Sequence, residues 1–401
     1  MVAPKGPLVG LKVLDLSTIV AGSTASSLLA DFGAEVVKIE RPGSGDPLRN
    51  WGPFVNDISL WWKVHSRNKK SVTLNLNSDE GREIFRLLVC QSDVVIEGFR
   101  PGVMERWELG PTELHDLNPG LVILRYSGFG QSGPYKDRPG FGTIAECMSG
   151  YVGMTGFQNS PPVLPPVPLA DEIAGVFGAM SGMMALYHRD TVEQGKGQVV
   201  DLSLFEPLFR LCIPHITMYD QLQINRERVG NDFPDAAPRS LYKTGDDKWL
   251  GLSATSQRTF ESLAGAMGMP QLLDRPEFRD NPSRLENRDA LNDELDGWIG
   301  DRNLDDIMEQ LIPAGGVVGP VYDVKQIMED PHYHARNDIV ELDDPDLGKT
   351  KLLGIVPKFS DTPGKVEHTG PSLGEHNYVI YGSWLDMGED QISDLIEKGV
   401  F

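Results

Sequence analysis

Six short apolar runs, rich in branched aliphatic residues and spaced by segments of helical character, organise the first half of this 401-residue chain. They are residues 11–17 (LKVLDLS), 34–40 (AEVVKIE), 71–76 (SVTLNL), 93–99 (DVVIEGF), 121–127 (LVILRYS) and 199–206 (VVDLSLFE). Each reads as a buried strand. Between the first two, residues 22–32 read as a helix stopped by Gly33, which gives a β-α-β unit. That is the signature of a parallel sheet. Further helices are expected over 78–91 and 173–187, the latter with Ala174, Gly175, Gly178, Ala179 and Gly182 permitting close packing. Strands alternating with helices imply a doubly wound α/β sheet. A Pro-dense connector, 160–168 (SPPVLPPVP), precedes the third helix, and 234–239 reads as a linker. Beyond it the pattern changes to a hairpin over 241–254, with its turn at 245–248, and then to polar helices. The expected division is a large Rossmann-like domain over 1–224 and a smaller α+β domain over 225–325.

The charge balance narrows the function. Thirty-seven Lys and Arg oppose 58 Asp and Glu, a formal net charge of −21. A nucleic-acid partner needs a net basic face, so none is expected. A small anionic ligand sees only a local patch and stays open. The three cysteines, Cys90, Cys147 and Cys212, are widely spaced and form neither a disulfide framework nor a metal-binding pattern. A reducing, cytoplasmic setting is therefore expected. The N-terminal ten residues do not read as a secretory leader, and no uninterrupted apolar run has transmembrane length, so no membrane partner is expected.

Three constellations bear on chemistry. The first β-α turn reads Ser17-Thr18-Ile19-Val20-Ala21-Gly22. It lacks the G-x-G-x-x-G that brings backbone close to a pyrophosphate, which argues against a nicotinamide site despite Glu40 at the end of the second strand. Basic residues collect near strand ends: Lys38 and Arg41; Lys63, Arg67, Lys69 and Lys70; then Arg100, Arg106, Lys136 and Arg138. Any one of these is ordinarily a solvated surface charge, but as a group they fit a polyanionic ligand beyond the carboxyl ends of the strands. Asp171 stands at the start of the small-residue helix. The common role there is an N-cap. An ionised, partly dehydrated carboxylate in that position is also a nucleophile for an activated acyl group. The His332-x-His334 pair lacks partners at metal-binding spacing, so no metal is expected.

The segments GLKVLDLSTIVAGS, FGAEVVKIERPGSGDPLR, RNKKSVTLNL, DVVIEGFRPGVMERWELG, NPGLVILRYSGFGQSGPY and PLADEIAGVFGAMSGMMALYHR, in this order, resemble the family III coenzyme A transferases of the CaiB/BaiF type. The resemblance implies that residues 326–401 return to complete the large domain, and that two subunits interlock as an obligate dimer. It implies that Asp171, in the Ala170-Asp171 step, is the nucleophile. Arg41, Lys69 and Arg106 are then expected at the adenosine and phosphate end of coenzyme A. Val20 and Ala21 would approach the thioester, and Gly98, Phe99, Lys136 and Arg138 would complete the site. Coenzyme A and acyl-CoA are thus substrates, with no permanently bound cofactor expected and a small carboxylic acid as acceptor.

The chain departs from the family pattern in two places. Gly98 stands where many members have Asn, and Phe141-Gly142 stand where oxalate-using members have a Tyr-Glu pair. Oxalate is therefore not the expected acceptor. The expected chemistry passes through an aspartyl anhydride and an aspartyl-CoA thioester, with backbone N–H groups near Ile173 holding the oxyanion. Two alternatives remain. One is an acyl-CoA racemase, which needs a second proton-transfer group where Phe141 stands. The other is the catalytic subunit of a hetero-oligomeric transferase.

Overall fold

The computed structural model describes residues 6–193 and 195–401. Residues 1–5, part of the segment read above as free of a leader, lie outside the described residues. The chain forms two units, one comprising residues up to Tyr151, Leu164–Pro214 and His332–Phe401, the other Val152–Val163 and His215–Pro331.

The first unit is built on six parallel strands: β1 (Lys12–Asp15), β2 (Glu35–Glu40), β3 (Lys69–Thr73), β4 (Val94–Glu97), β5 (Val122–Ser127) and β6 (Val199–Ser203). Their order is β3-β2-β1-β4-β5-β6. The order reverses between β1 and β4, which opens the crevice where ligands of such sheets bind. All six expected strands are present with trimmed ends. The run at 71–76 starts earlier, at Lys69, because its ladder to β2 begins at Val36.

Helices cover both faces. On one side, α1 (Ala21–Asp31) packs on α5 (Leu169–Thr191). Glycines allow the approach: a Cβ at Gly175 would lie 2.7 Å from the Ala21 carbonyl oxygen, and one at Gly178 only 1.5 Å from the Tyr126 hydroxyl. On the other side, α3 (Asp79–Val89) is capped by Ser78, whose hydroxyl accepts from Gly81 N at 3.1 Å. It presents Ile84, Phe85 and Leu88 to a core that also takes in Ile380, Tyr381 and Phe401 from the C-terminal segment. Two further helices frame the site: α2 (Leu60–His65) and α4 (Gly142–Met148).

The helix expected over 173–187 is longer, running Leu169–Thr191. Pro168 occupies its N-cap position, so Asp171 lies inside the first turn and is not the cap. By length and composition α5 is apolar enough to cross a membrane, but one face of it packs on α1 and β5.

In the second unit, β7 (Arg239–Lys243), β8 (Trp249–Ser253) and β9 (Val318–Pro320) form an antiparallel sheet. The hairpin appears where the alternation placed it. The stretch 234–239 is not a free linker: Ala237 is buried and Arg239 already belongs to β7.

Candidate functional site

The carboxyl ends of β1, β4 and β5 open onto a cavity of about 510 Å³. Its walls are the β1–α1 loop (Ser17 to Gly22), Gly98, the end of β5 at Tyr126 to Gly128, the start of α4, and the connector from Leu164 to Pro168. Asp171 faces into it. No cation or hydrogen-bond donor pairs with its carboxylate among the described residues. Burial, then the neighbouring carboxylates of Glu146 and Glu172, push its pKa up to about 7.

Two residues of α4 shape this environment. Gly142 leaves room for the carboxylate: a Cβ there would lie 2.1 Å from Asp171 Oδ2, so a side chain would require the carboxylate to shift. Glu146, one helical turn later, is 3% exposed and accepts from Ala170 N at 3.3 Å. That places a second acid beneath the turn carrying Asp171. Glu172 turns away, accepting from Thr24 Oγ1 at 2.9 Å, with His65 Nε2 at 3.4 Å from its other oxygen. Burial, then Lys69 and Arg67, lower the His65 pKa to about 4, so the ring is neutral at pH 7.

A second cavity, about 160 Å³, meets the first at Ser17 and Thr18. Glu40, Arg41, Asn75, Leu76, Phe99 and Trp107 line it, with Phe99 and Trp107 edge to face at 5.1 Å. Glu40 is held by both sides of the Arg49 guanidinium at 2.7 Å and by Ser71 Oγ at 2.5 Å. The strand end carrying Arg41 is thereby fixed, and Arg41 itself is exposed.

The structure thus gathers Val20, Ala21, Gly98 and Asp171 around one cavity, and Arg41 and Phe99 around the other. Arg106 is exposed on the short helix Val103–Arg106, beside Trp107. Lys136 and Arg138 line neither cavity, and Arg138 stacks on Tyr135 at 3.6 Å. Lys69 requires a correction. It is 0% exposed, and its ammonium donates to Ser23 O at 2.9 Å and Ser23 Oγ at 2.8 Å and pairs with Asp15 at 3.3 Å. It holds the β1–α1 loop from below and presents nothing to a ligand. The surrounding basic stretch is neutralised in the same way, Lys63 by Asp344 and Asp346, Arg67 by Asp31, and Lys70 by Glu35.

The helix that carries Asp171 starts at Leu169, four residues before Ile173. Ile173 is the fifth residue of α5 and so lies beyond the four N–H groups that a helix start leaves open. The start of α1 also reaches the cavity: its N-cap, Val20, makes no side-chain cap bond, and Ala21 and Gly22 line the cavity. The loop before it is strained, with Ile19 at φ 67°. Asp46 accepts from Ile19 N at 3.2 Å, and the buried Lys38 donates to Ser17 O and pairs with Asp46 at 3.0 Å.

Sequence reasoning missed Glu146 and the carboxylate partners of the lysines, and it noted Gly142 and Glu40 without the roles that the structure gives them. Gly142 and Glu146 share a helix face by their spacing of four, a signal that has meaning only once α4 is placed beside α5.

The family model described as CoA-transferase family III matches residues 8–377. A Chloroflexus aurantiacus protein named succinyl-CoA–D-citramalate CoA-transferase is 42% identical over 398 residues, 99% of this chain and 98% of its own. The beta subunit of succinyl-CoA–L-malate CoA-transferase from the same organism is 38% identical over 398 residues, 98% of each chain. The crystal structure of a CaiB/BaiF family protein from Brucella suis matches with a TM-score of 0.83 at 31% identity, covering 95% of this chain and 100% of its own. A match over this span, on a parallel sheet with a half-buried carboxylate beside its switch point, means that the chain belongs to CoA-transferase family III and is an enzyme that transfers coenzyme A.

Proposed function

We propose that this enzyme moves coenzyme A from succinyl-CoA to a small dicarboxylic acid of the citramalate or malate type, with Asp171 as nucleophile. The observation that carries the reading is the unpaired carboxylate of Asp171 at the floor of the larger cavity, which joins the smaller, Arg41-flanked one. The nucleotide end of coenzyme A takes the smaller cavity, between Arg41 and the Phe99–Trp107 pair, with Arg106 at its margin. Pantetheine crosses Ser17 and Thr18 and brings the thioester to Asp171. The acceptor class rests on the relatives' names. Ser127 Oγ, buried without a partner among the described residues, and Thr143 supply hydroxyls to the acyl group.

The steps conserve every acyl and thiol group. Asp171 attacks the donor carbonyl, and the C–S bond breaks to give an aspartyl anhydride and the coenzyme A thiolate. The thiolate attacks the aspartyl carbonyl, forms aspartyl-CoA and releases the donor acid. The acceptor carboxylate attacks aspartyl-CoA, giving a second anhydride and free thiolate. The thiolate then attacks the acceptor acyl carbon, and Asp171 leaves as carboxylate. Backbone N–H groups at the start of α1 face the developing oxyanions. The apolar connector and α4, which line the cavity, keep water from the anhydrides.

The working form is a homodimer in a reducing, cytoplasmic setting. Apolar side chains left exposed on one chain support the dimer, among them Met184 (61%) and Tyr187 (68%) on α5 and Leu353 (68%) and Val356 (67%) in the return segment. The three cysteines are free, as such a setting requires. The test is trapping with succinyl-CoA, digestion and mass spectrometry. Coenzyme A or a hydroxamate is expected on the Asp171 peptide and is absent in Asp171→Ala. Full turnover by Asp171→Ala refutes the reading. A chain that is inert alone but active with a related subunit replaces the homodimer with a hetero-oligomer.

A further inference from the structure

Arg125 lies in β5 and lines neither cavity, yet its guanidinium pairs with two carboxylates. The residue is 6% exposed. Its Nε donates to Glu97 Oε1 at 2.7 Å, and its two terminal nitrogens donate to the two oxygens of Glu105 at 2.7 and 3.3 Å. Glu97 ends β4, is 1% exposed, and uses its other oxygen to accept from Phe99 N at 2.7 Å. Glu105 sits on the helix Val103–Arg106, next to Arg106 and two residues before Trp107. One guanidinium therefore ties together the two segments that carry Phe99, Arg106 and Trp107. A fork of fixed geometry bound at both ends sets direction as well as distance, which a lysine ammonium does not.

We propose that Arg125 is a positioning residue for substrate binding: through Glu97 and Glu105 it sets the wall that receives the nucleotide end of coenzyme A, and it acts on affinity without acting on the chemistry at Asp171. This rests on the assignment of the smaller cavity to that end. The chain supplies a reason for so rigid a device. Gly98 offers no side chain to brace the loop after β4, so the Phe99 position depends on the Glu97 carboxylate and hence on Arg125.

The test compares two substrates, succinyl-CoA and succinyl-pantetheine, which lacks the nucleotide. Arg125→Lys keeps a charge for Glu97 and loses the fork. Its KM for succinyl-CoA is expected to rise about tenfold with kcat within about twofold. Its kcat/KM for succinyl-pantetheine is expected to match the unmodified enzyme. Glu105→Gln, which leaves the buried Glu97–Arg125 pair intact, is expected to show the same split at smaller size, and it serves if Arg125→Lys does not fold. Equal losses on both substrates would make Arg125 merely structural and overturn the proposal. An unchanged KM in both variants, while Arg41→Ala and Trp107→Ala raise it, overturns the positioning role and leaves the cavity assignment standing. An unchanged KM in all four shows that the nucleotide binds elsewhere and removes both.

Discussion

Replacing Asp171, the proposed nucleophile, is expected to stabilise the protein while abolishing its activity. The carboxyl of Asp171 is raised from 3.8 to about 7, by burial first and by Glu146 and Glu172 next. The folded state therefore binds this proton more tightly than the unfolded chain. Where the folded pKa of an acid lies above the unfolded one, stability falls as pH rises between the two values and stays low above the upper one. At about 1.36 kcal/mol per pH unit, the full cost above pH 8 is about 4 kcal/mol, and at pH 5.5 about 2 kcal/mol. Asn has the same shape and no charge, so Asp171→Asn is expected to gain these amounts. For a unit of this size a gain of 4 kcal/mol raises Tm by roughly 8 °C. Thermal unfolding at pH 8.5 and pH 5.5, followed by circular dichroism, gives the comparison. Lower pH is avoided because the chain is near its sequence pI of 4.8. Transfer is expected to fall at least about a thousandfold, since no carboxylate is left to form the anhydride. A variant no more stable than the parent at pH 8.5, or one with the same gain at both pH values, refutes the picture of a desolvated carboxylate among acids.

Three further outcomes test separate parts of the site. Gly142→Ala puts a methyl 2.1 Å from Asp171 Oδ2; kcat is expected to drop about a hundredfold, by misplacement of the carboxylate, while the circular dichroism spectrum is retained. Glu146→Gln removes a negative charge near Asp171, so the acid limb of the kcat/KM profile, expected near pH 7, moves to lower pH; an unmoved limb rejects Glu146 as a cause of the raised pKa. Lys69→Met leaves Asp15 with one fewer cation in a fully buried setting and is expected to cost about 3–5 kcal/mol in a denaturant melt. A soluble variant of unchanged stability and raised KM for succinyl-CoA restores Lys69 to the ligand.

The fold is legible in this sequence because its strongest signals are local. The runs LKVLDLS, AEVVKIE and LVILRYS are strands by their own composition, and Gly33 ends α1 by its own backbone freedom, at φ 99°. The Rossmann-like sheet follows from their alternation with helices. Charge is different, because its meaning depends on what the fold brings alongside. The stretch from Trp61 to Lys70 contains no acid, yet its lysines and Arg67 meet Asp15, Asp31, Glu35, Asp344 and Asp346. The Lys63–Asp346 pair alone spans 283 positions. A cationic run is therefore weak evidence of an anion site, and in this chain the exposed Arg41 is stronger evidence than the denser cluster.

Position 142 shows how a site residue can be half legible. Against the family pattern, its glycine marks only the absence of the acid found in oxalate-using members. In the structure the same glycine leaves the space that Asp171 Oδ2 occupies, 2.1 Å from where a Cβ would be. A larger residue there requires the nucleophile in another rotamer or α4 displaced from α5. The choice of residue at 142 therefore couples two properties, the acceptor that fits and the direction from which the carboxylate attacks. Changing acceptor preference at this position alone is expected to cost turnover unless Glu146, one turn further along the same helix face, is changed with it to let the carboxylate move.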